Sequence, residues 1–244
     1  MKPWVTVVIG VCSAVVGYVA HLQISASESA SIQQSKFELI ELAVQKNMQR
    51  LSDEIENRLS SFAGAVSEDG VFSLRLLGEQ DRSSPDVTQF ASRFIKPMGF
   101  SVLDIVDSSF TVVSSGQFIA NAGSNAAEKM SALGKKTGFI KDRIMGESVL
   151  TLQAKKSFKI ADIPFMVSGG CRVDEQLLKM IAPHDSCKLY KKIGDEIFGN
   201  ANNRTVSELK GHTMVINDKE YNAVVVSVAA ESKLSPDIVV FFNK

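Results

Sequence analysis

The stretch FSVLDIVDSSFTVVSSGQF, Phe100 to Phe118, decides the fold. Phe100 to Val106 is rich in aromatic and β-branched residues and predicts a strand. Asp107-Ser108-Ser109 is turn chemistry, and Thr111 to Ser115 predicts a second strand, so the stretch is a β-hairpin. Working outward, Ser84-Pro85 predicts the start of a short helix, with Ser as cap and Pro in the first turn. Val87, Phe90, Ala91 and Phe94 form its inner face, and Lys96-Pro97-Met98-Gly99 ends it. Downstream, Ser124 is read as the cap of another helix, with Glu128 in its first turns and Gly134 as its stop. Val149 to Ala154 and Phe158 to Ser168 predict two strands on either side of Lys155-Lys156, and Gly169-Gly170 is read as a break in the sheet. Val173 to Ile181 predicts a helix with Val173, Leu177, Leu178 and Ile181 inward. A smaller set follows: strands over Cys187 to Ile193, Thr213 to Ile216, Tyr221 to Val228 and Ile238 to Phe242, with a hairpin turn at Asn217 to Glu220. The expected class is α+β with antiparallel sheets, a larger region over residues 68–182 and a smaller one over 183–244.

Ahead of the hairpin, Ser25 to about Ser67 contains no Pro, and no Gly except Gly64. Ile40, Val44, Met48, Leu51, Ile55, Leu59, Phe62 and Val66 recur three or four residues apart, which predicts one long helix over residues 25–67. Its other faces carry Glu38, Lys46, Arg50, Asp53, Glu54, Glu56 and Arg58, a solvated surface. The stripe serves either as a homodimer seam or as a face docked on the chain's own domain. Phe62 and the four-residue steps make it wider than a strict coiled-coil seam, so both uses are expected, with the later part docked.

Trp4 to Leu22 reads WVTVVIGVCSAVVGYVAHL, with no Asp, Glu, Lys or Arg. At ~1.5 Å per residue it reaches ~28 Å, close to the ~30 Å hydrocarbon core. Residues 1–24 are therefore read as a single membrane anchor, with Lys2 and the amino terminus on the cytoplasmic side. A cleaved signal peptide is the competing reading, with Ser25-Ala26-Ser27 as its weak site. In both cases the bulk of the chain is extracytoplasmic. Lys plus Arg and Asp plus Glu balance at 27 each, and no basic stripe points to nucleic acid. Cys12 falls in the anchor. Cys171 and Cys187 are the one extracytoplasmic pair, either bridged or two reduced buried thiols.

Anchor, long helix, short helix and then LDIVDSSFTVVSSGQF is a layout that resembles the double Cache sensor modules of bacterial receptors. Asp107 matches the Asp that ends the first strand of their PAS-like hairpin. VSGGCRVDEQLLKMI, Val167 to Ile181, resembles the sheet-ending strand and the helix that leads from a membrane-distal lobe to a proximal one. The resemblance covers residues 25–244. It implies two PAS-like lobes, distal over 68–182 and proximal over 183–244, in the input part of a sensor histidine kinase or chemoreceptor of the bacterial cytoplasmic membrane. It also implies a small-molecule ligand held by the distal lobe. The chain given carries no output domain after Lys244, so it is expected to be either a piece of a longer receptor or a stand-alone anchored protein.

Catalytic constellations are thin. His21, His184 and His212 have no partner at a metalloprotease or triad spacing and read as surface histidines. There is no phosphate loop, and no kinase phosphoacceptor or ATP-binding box. Asp53-Glu54-Ile55-Glu56 is a solvated helix face before it is a metal site, and Asn203-Arg204-Thr205 is a sequon of the kind that arises by chance. No enzyme activity, cofactor or metal is expected. Asp104 alternates with Val102 and Val106 and so shares their apolar face, where a carboxylate lines a pocket or marks an open edge. Arg143, just before the next predicted strand, is the second ligand candidate, suited to a bidentate anion contact. The Tyr- and Arg-Trp-rich amino-acid signature of some double Cache domains is missing. A membrane-anchored envelope assembly protein is the alternative function. A closed, partly polar cavity within residues 68–170 argues for the sensor, and a filled core with an exposed apolar patch argues for assembly.

Overall fold

The computed structural model describes residues 3–78, 82–134, 137–184, 187–193, 196–198, 209–210, 213–216, 219–227 and 237–242, and of residues 3–30, 188, 190–193, 196–198, 209–210, 214–216, 219 and 241–242 the backbone alone. The chain divides into two compact units, Met1–Leu42 and Ala43–Lys244. The first is helical. Its described side chains include a buried Phe37, while Ile32, Leu39 and Leu42 are 58%, 66% and 62% exposed. Helix α1 runs from Pro3 to Glu68, so the expected long helix forms without a break. Among the described residues no helix is long and apolar enough to cross a membrane. The side chains of Trp4 to Leu22, where the anchor is expected, lie outside them.

In the second unit the stripe of α1 is buried from Val44 through Met48, Leu51, Ile55, Leu59 and Phe62 to Val66. It is buried against this chain's own domain. Phe62 packs on Phe94 with ring centroids 5.0 Å apart, and Leu59 lies against Gly169. Helix α2, Gly70–Leu77, was not legible in the sequence. Asp69 caps it, its carboxylate accepting from Phe72 N at 2.9 Å.

The helix expected from Ser84 is two helices, α3 (Pro85–Thr88) and α4 (Ser92–Met98). Ser114 causes the break: its hydroxyl accepts from Ala91 N at 3.0 Å and donates to Thr88 O at 3.1 Å. Those two backbone groups are then lost to a continuous helix. Ser84 stands at the cap position but makes no side-chain cap bond; its carbonyl accepts from Val87 N and Thr88 N instead. Helix α5, Ala127–Ala132, starts later than Ser124 predicts. Ser124 O is held by Val112 N at 2.9 Å, and Asn125 Oδ1 accepts from Ala127 N at 2.8 Å. The helix also ends at Leu133, before Gly134.

The hairpin at Phe100–Phe118 forms as predicted, with β1 (Val102–Asp107) antiparallel to β2 (Val112–Ser115). Strand β3, Gly138–Ile144, is an element not predicted from the sequence. Strand β4 is one long element, Glu147–Ile160, and Lys155-Lys156 lies inside it. The turn comes instead at Ala161 and Asp162, both left-handed with φ 47° and 67°. Strand β5, Ile163–Arg172, contains Gly169-Gly170. That pair does not break the sheet: it faces Leu103 and Val102 on one side and Ala154 and Gln153 on the other. A Cβ on Gly170 would sit 2.0 Å from Leu152 O, so only glycine fits between the two neighbouring strands there. The sheet order is β2-β1-β5-β4-β3, antiparallel throughout.

Helix α6, Glu175–Ile181, follows, with Asp174 as cap and Val173, Leu177, Leu178 and Ile181 buried as predicted. A second antiparallel sheet has the order β7-β6-β11-β10-β9-β8. Its strands are β6 Lys188–Ile193, β7 Glu196–Phe198, β8 Leu209–Lys210, β9 Thr213–Ile216, β10 Lys219–Ser227 and β11 Asp237–Phe242. The class is therefore α+β, with the expected β9–β10 pairing and with β7 and β8 as unexpected short additions. Cys171 and Cys187 are free thiols. Burial pushes the Cys171 thiol up to about 11 and also raises Cys187. His21, His212, Cys12 and Asn203-Arg204-Thr205 lie outside the described side chains.

Candidate ligand site on the first sheet

Alternation along the strands gives the first sheet two unlike faces. Leu103, Ile105, Val167, Gly169, Leu152, Ala154 and Phe139 share the face that carries Leu59 of α1; the buried polar side chain beside them is Ser114, next to Ile105, and the charged residues in phase with them, Lys141, Arg143 and Lys156, are exposed. The opposite face, beneath α5, is split. One half is an apolar cluster of Val106, Val112, Ala126 and Met130, with Met166 against it. The other half is polar and buried: Asp104, Ser115, Gln117, Thr151, Gln153 and Ser168 are all under 9% exposed.

Asp104 is the organising carboxylate of that half, on the face the sequence predicted. Its Oδ1 accepts from Gln117 Nε2 at 2.9 Å, and its Oδ2 accepts from Lys129 Nζ of α5 at 2.7 Å. The same ammonium donates to Asp142 Oδ2 at 2.5 Å, and Gln153 Nε2 donates to that oxygen at 2.8 Å. Gln117 is anchored in turn, its Oε1 accepting from Leu103 N at 2.9 Å. Lys155, on the same face, reaches up to donate to Met130 O at 2.6 Å. Among the described residues, three buried polar atoms on this face have no hydrogen-bond partner: Ser115 Oγ, Ser168 Oγ and Gln153 Oε1. Register places Ser115 and Ser168 on either side of Asp104.

Burial alone would lower the Lys129 pKa, but the two carboxylates beside it outweigh that and hold it above its ordinary value. Burial alone would raise the Asp142 pKa. The Lys129 charge, and the hydrogen bonds from Lys129, Gln153 and the Arg143 amide, hold it below the ordinary carboxylate value. Both groups are thus fixed in their charged forms.

Arg143 is not part of this arrangement. It lies in β3, where alternation turns it to the face opposite Asp142, and its side chain is exposed. The structure instead brings Asp104 together with Lys129 and Asp142. Reading 138–144 as a strand would have placed Asp142 in phase with Ile140. Thr151 and Gln153, two polar residues in phase within an apolar strand, were a second signal. Lys129 gave none, because a lysine on a short helix reads as solvated surface.

Asp107, the residue matched by resemblance, holds the β1–β2 turn. Its Oδ1 accepts from Ser109 N at 2.9 Å, Ser109 Oγ at 2.6 Å and Thr111 N at 2.9 Å. Beside it a cleft of about 450 Å³ opens, lined by Arg82, Thr88, Thr111, Val112 and Ile119 among others.

No protein-family model and no curated protein matches the sequence. Solved structures do. The periplasmic domain of Vibrio cholerae LuxQ aligns with TM-score 0.57 at 13% identity, covering 84% of this chain and 99% of that one. The ligand-binding domain of the Campylobacter jejuni chemoreceptor Tlp3, in complex with 4-methylisoleucine, gives TM-score 0.52 at 10% identity, covering 86% and 90%. The sensor domain of the Vibrio cholerae histidine kinase DctB gives 0.50 at 11% identity, covering 86% and 99%. The resemblance read from Phe100–Phe118 and Val167–Ile181 therefore holds at the level of fold: the chain shares the architecture of bacterial extracytoplasmic sensor domains.

Proposed function

We propose that this chain is the ligand-sensing input of a bacterial signal-transduction receptor, held at the cytoplasmic membrane by Trp4–Leu22 and facing the periplasm or exterior. The first sheet belongs to the distal, ligand-holding lobe and the second sheet to the proximal one. The observation that carries the reading is the buried polar half-face of the first sheet. A structural core has no use for two carboxylates, an ammonium and three unpartnered polar atoms beneath one short helix. Ligand sites, in contrast, combine apolar contacts with a few convergent polar groups, and the packed cluster of Val106, Val112, Met130 and Met166 lies beside the polar half. The fold shared with sensor and ligand-binding domains supports the same assignment, and one of those neighbours was solved with a small amino-acid-like molecule. No reaction is assigned to the chain.

Occupancy would be passed to α1, which the segments flanking this sheet grip through polar clamps, in addition to the apolar stripe. Thr137 N and Oγ1 both donate to Glu56 Oε1, at 3.2 and 3.1 Å, and Arg58 Nη1 donates to Met98 O at 2.7 Å. Homodimerisation through α1 belongs to the same reading. Since Val44 to Val66 is occupied within the chain, the seam would be formed by Ile32, Leu39 and Leu42.

The test is a thermal-shift screen of small metabolites on the full chain, followed by a structure with any hit. A ligand that binds only the native state at a hundredfold excess over its dissociation constant stabilises by ~2.7 kcal/mol. A hit seated beneath α5, weakened by Asp104→Ala, supports the assignment. A hit seated on the second sheet overturns the choice of lobe.

A further inference from the structure

Resting on that reading of the first sheet, the geometry points to an exchange site in which Lys129 stands in for the ammonium group of a small organic amine. The amine binds by evicting Lys129 from Asp104 and Asp142, and so loosens the hold of α5 on the polar half of the sheet.

The first support is convergence. Asp104 comes from β1 and Asp142 from β3, with β5 and β4 between them in the sheet, and both carboxylates meet on one Nζ. Buried carboxylates that converge need a cation between them. They define a cation seat whichever cation fills it.

The second is charge balance. On this face Asp104 and Asp142 stand against Lys129 and Lys155, two charges of each sign. A further cation added to the set would leave it unbalanced in a buried site. One that replaces the Lys129 ammonium preserves the balance, while Lys129 moves out to water.

The third is unmet hydrogen-bonding capacity. The ammonium that reaches in from α5 serves the two carboxylates and leaves Gln153 Oε1 and the hydroxyls of Ser115 and Ser168 unpartnered. An ammonium carries three donors. A free amine, not held back by a helix, can place its donors on Asp104, Asp142 and the Gln153 oxygen, with its remaining polar atoms on the two serines. The donor set does not suit a metal ion: among the described residues no group of three or more His, Cys, Asp or Glu side chains gathers. Nor does it suit an anion, which would face both carboxylates.

The fourth is the light attachment of α5. It has six residues, and a helix that short has little stability of its own. Once Lys129 lets go, α5 keeps the buried side chains of Ala126, Met130 and Leu133, the bond from Ala126 N to Phe110 O at its start and the Lys155 bond to Met130 O, but no charged tie to the sheet's polar half. Exchange at one ammonium therefore becomes a change in how a whole helix sits on the sheet.

The experiment is chemical rescue in the full chain. Lys129→Ala empties the seat and should lower the melting temperature. Ethyl- to n-butylammonium chloride should restore it saturably, with tetramethylammonium, which has no N–H, and sodium chloride as controls. Asp104→Asn in the same background should abolish the rescue, and wild type should bind the same amines at least tenfold more weakly, because its own lysine competes. A folded Lys129→Ala protein raised no more by n-butylammonium than by tetramethylammonium overturns the proposal. If that variant does not fold, the wild-type Lys129 ammonium is followed by ¹⁵N NMR during n-butylammonium titration: loss of its protection supports exchange, and an unchanged signal overturns it. A carboxylate or neutral ligand that binds beneath α5 with the Lys129 signal undisturbed sinks the exchange and keeps the sensor reading. Ligands found solely on the second sheet sink both.

Discussion

Asn47 of α1 donates from its side-chain amide to the carbonyl oxygen of Ile181 at 3.2 Å, and shares the same nitrogen with Ala182 O at 3.3 Å. These carbonyls belong to the end of α6, where a helix leaves its last C=O groups without internal partners. The long helix thus supplies the cap of the helix that joins the two sheets. Removing that donor by Asn47→Ala should cost about 1 kcal/mol, the lower end for a part-buried orphaned acceptor. Asn47→Asp should cost more, since it sets a carboxylate against two carbonyls. Urea midpoints at constant slope measure both, and equal midpoints for wild type and Asn47→Asp would remove the clamp from the account.

The two glycines of β5 should respond differently to alanine. A Cβ on Gly170 meets the backbone at Leu152 O, 2.0 Å away, and at Gln153 Cα, 2.7 Å away, neither of which can yield without moving β4. A Cβ on Gly169 meets the side-chain ends of Leu103 and Leu59 at 3.0 Å, which can shift. Gly170→Ala should therefore cost about 3 kcal/mol, the upper range of overpacking, and Gly169→Ala about 1 kcal/mol. The reverse order in denaturant melts would show that the sheet is not held this tightly.

Leu51 and Ile55 separate the two uses that the sequence left open for the stripe on α1. Both are buried within the chain, at 5% and 1% exposure. Leu51→Asp or Ile55→Asp should destabilise the folded chain itself by about 4 kcal/mol or more, an unpaired charge in a core. A protein that melts normally but changes only its oligomeric mass would contradict this.

Leu39 and Leu42 make the complementary case. Both are well exposed on the helical first unit, so Leu39→Asp with Leu42→Asp should leave the unfolding free energy of the sheets within about 0.5 kcal/mol of wild type. If the proposed homodimer forms there, sedimentation of the full chain in detergent should show the double variant as monomer. A dimer that survives both charges places the seam elsewhere or removes it.

Much of this fold was legible because its signals are local. The stripe from Val44 to Val66 needs only the helical period, and the hairpin at Asp107 needs only an Asx turn between β-branched runs. The errors fall where a distant residue overrides local chemistry. Ser114 takes Ala91 N and Thr88 O and cuts one helix into two. Ser124 is tied to β2, and Asn125 takes the first helical amide, that of Ala127. Lys155-Lys156 looks like a turn, but pairing with β5 runs straight through it, and the chain reverses at Ala161-Asp162, a pair with no glycine to announce left-handed backbone. The site was half legible for the same reason. Asp104 stands out by alternation inside one strand. Its partners Lys129 and Asp142 become its neighbours only when a missed strand and a shifted helix are folded over it.

The Lys129–Asp142 pair fixes the shape of the pH profile. Asp142 is held below its ordinary value of 3.8 in the folded chain. Its contribution to stability is present above the unfolded pKa and is lost as pH falls through the depressed folded one. Lys129 is held above its ordinary value of 10.5. Its contribution is present below the unfolded pKa and is lost as pH rises through the raised folded one. Wild type should therefore show a plateau across neutral pH, an acid limb and an alkaline limb. Lys129→Met keeps the aliphatic bulk and removes the charge. It should erase the alkaline limb that Lys129 contributes and move the acid limb to higher pH, because burial then acts on Asp142 without its counter-ion. Stability across the plateau should also fall, since breaking a buried pair on one side costs about 3–5 kcal/mol. Urea midpoints from pH 3 to pH 11 at fixed salt, for both proteins, decide it. Profiles that run parallel over that range would mean that the two charges do not meet in solution as they meet beneath α5.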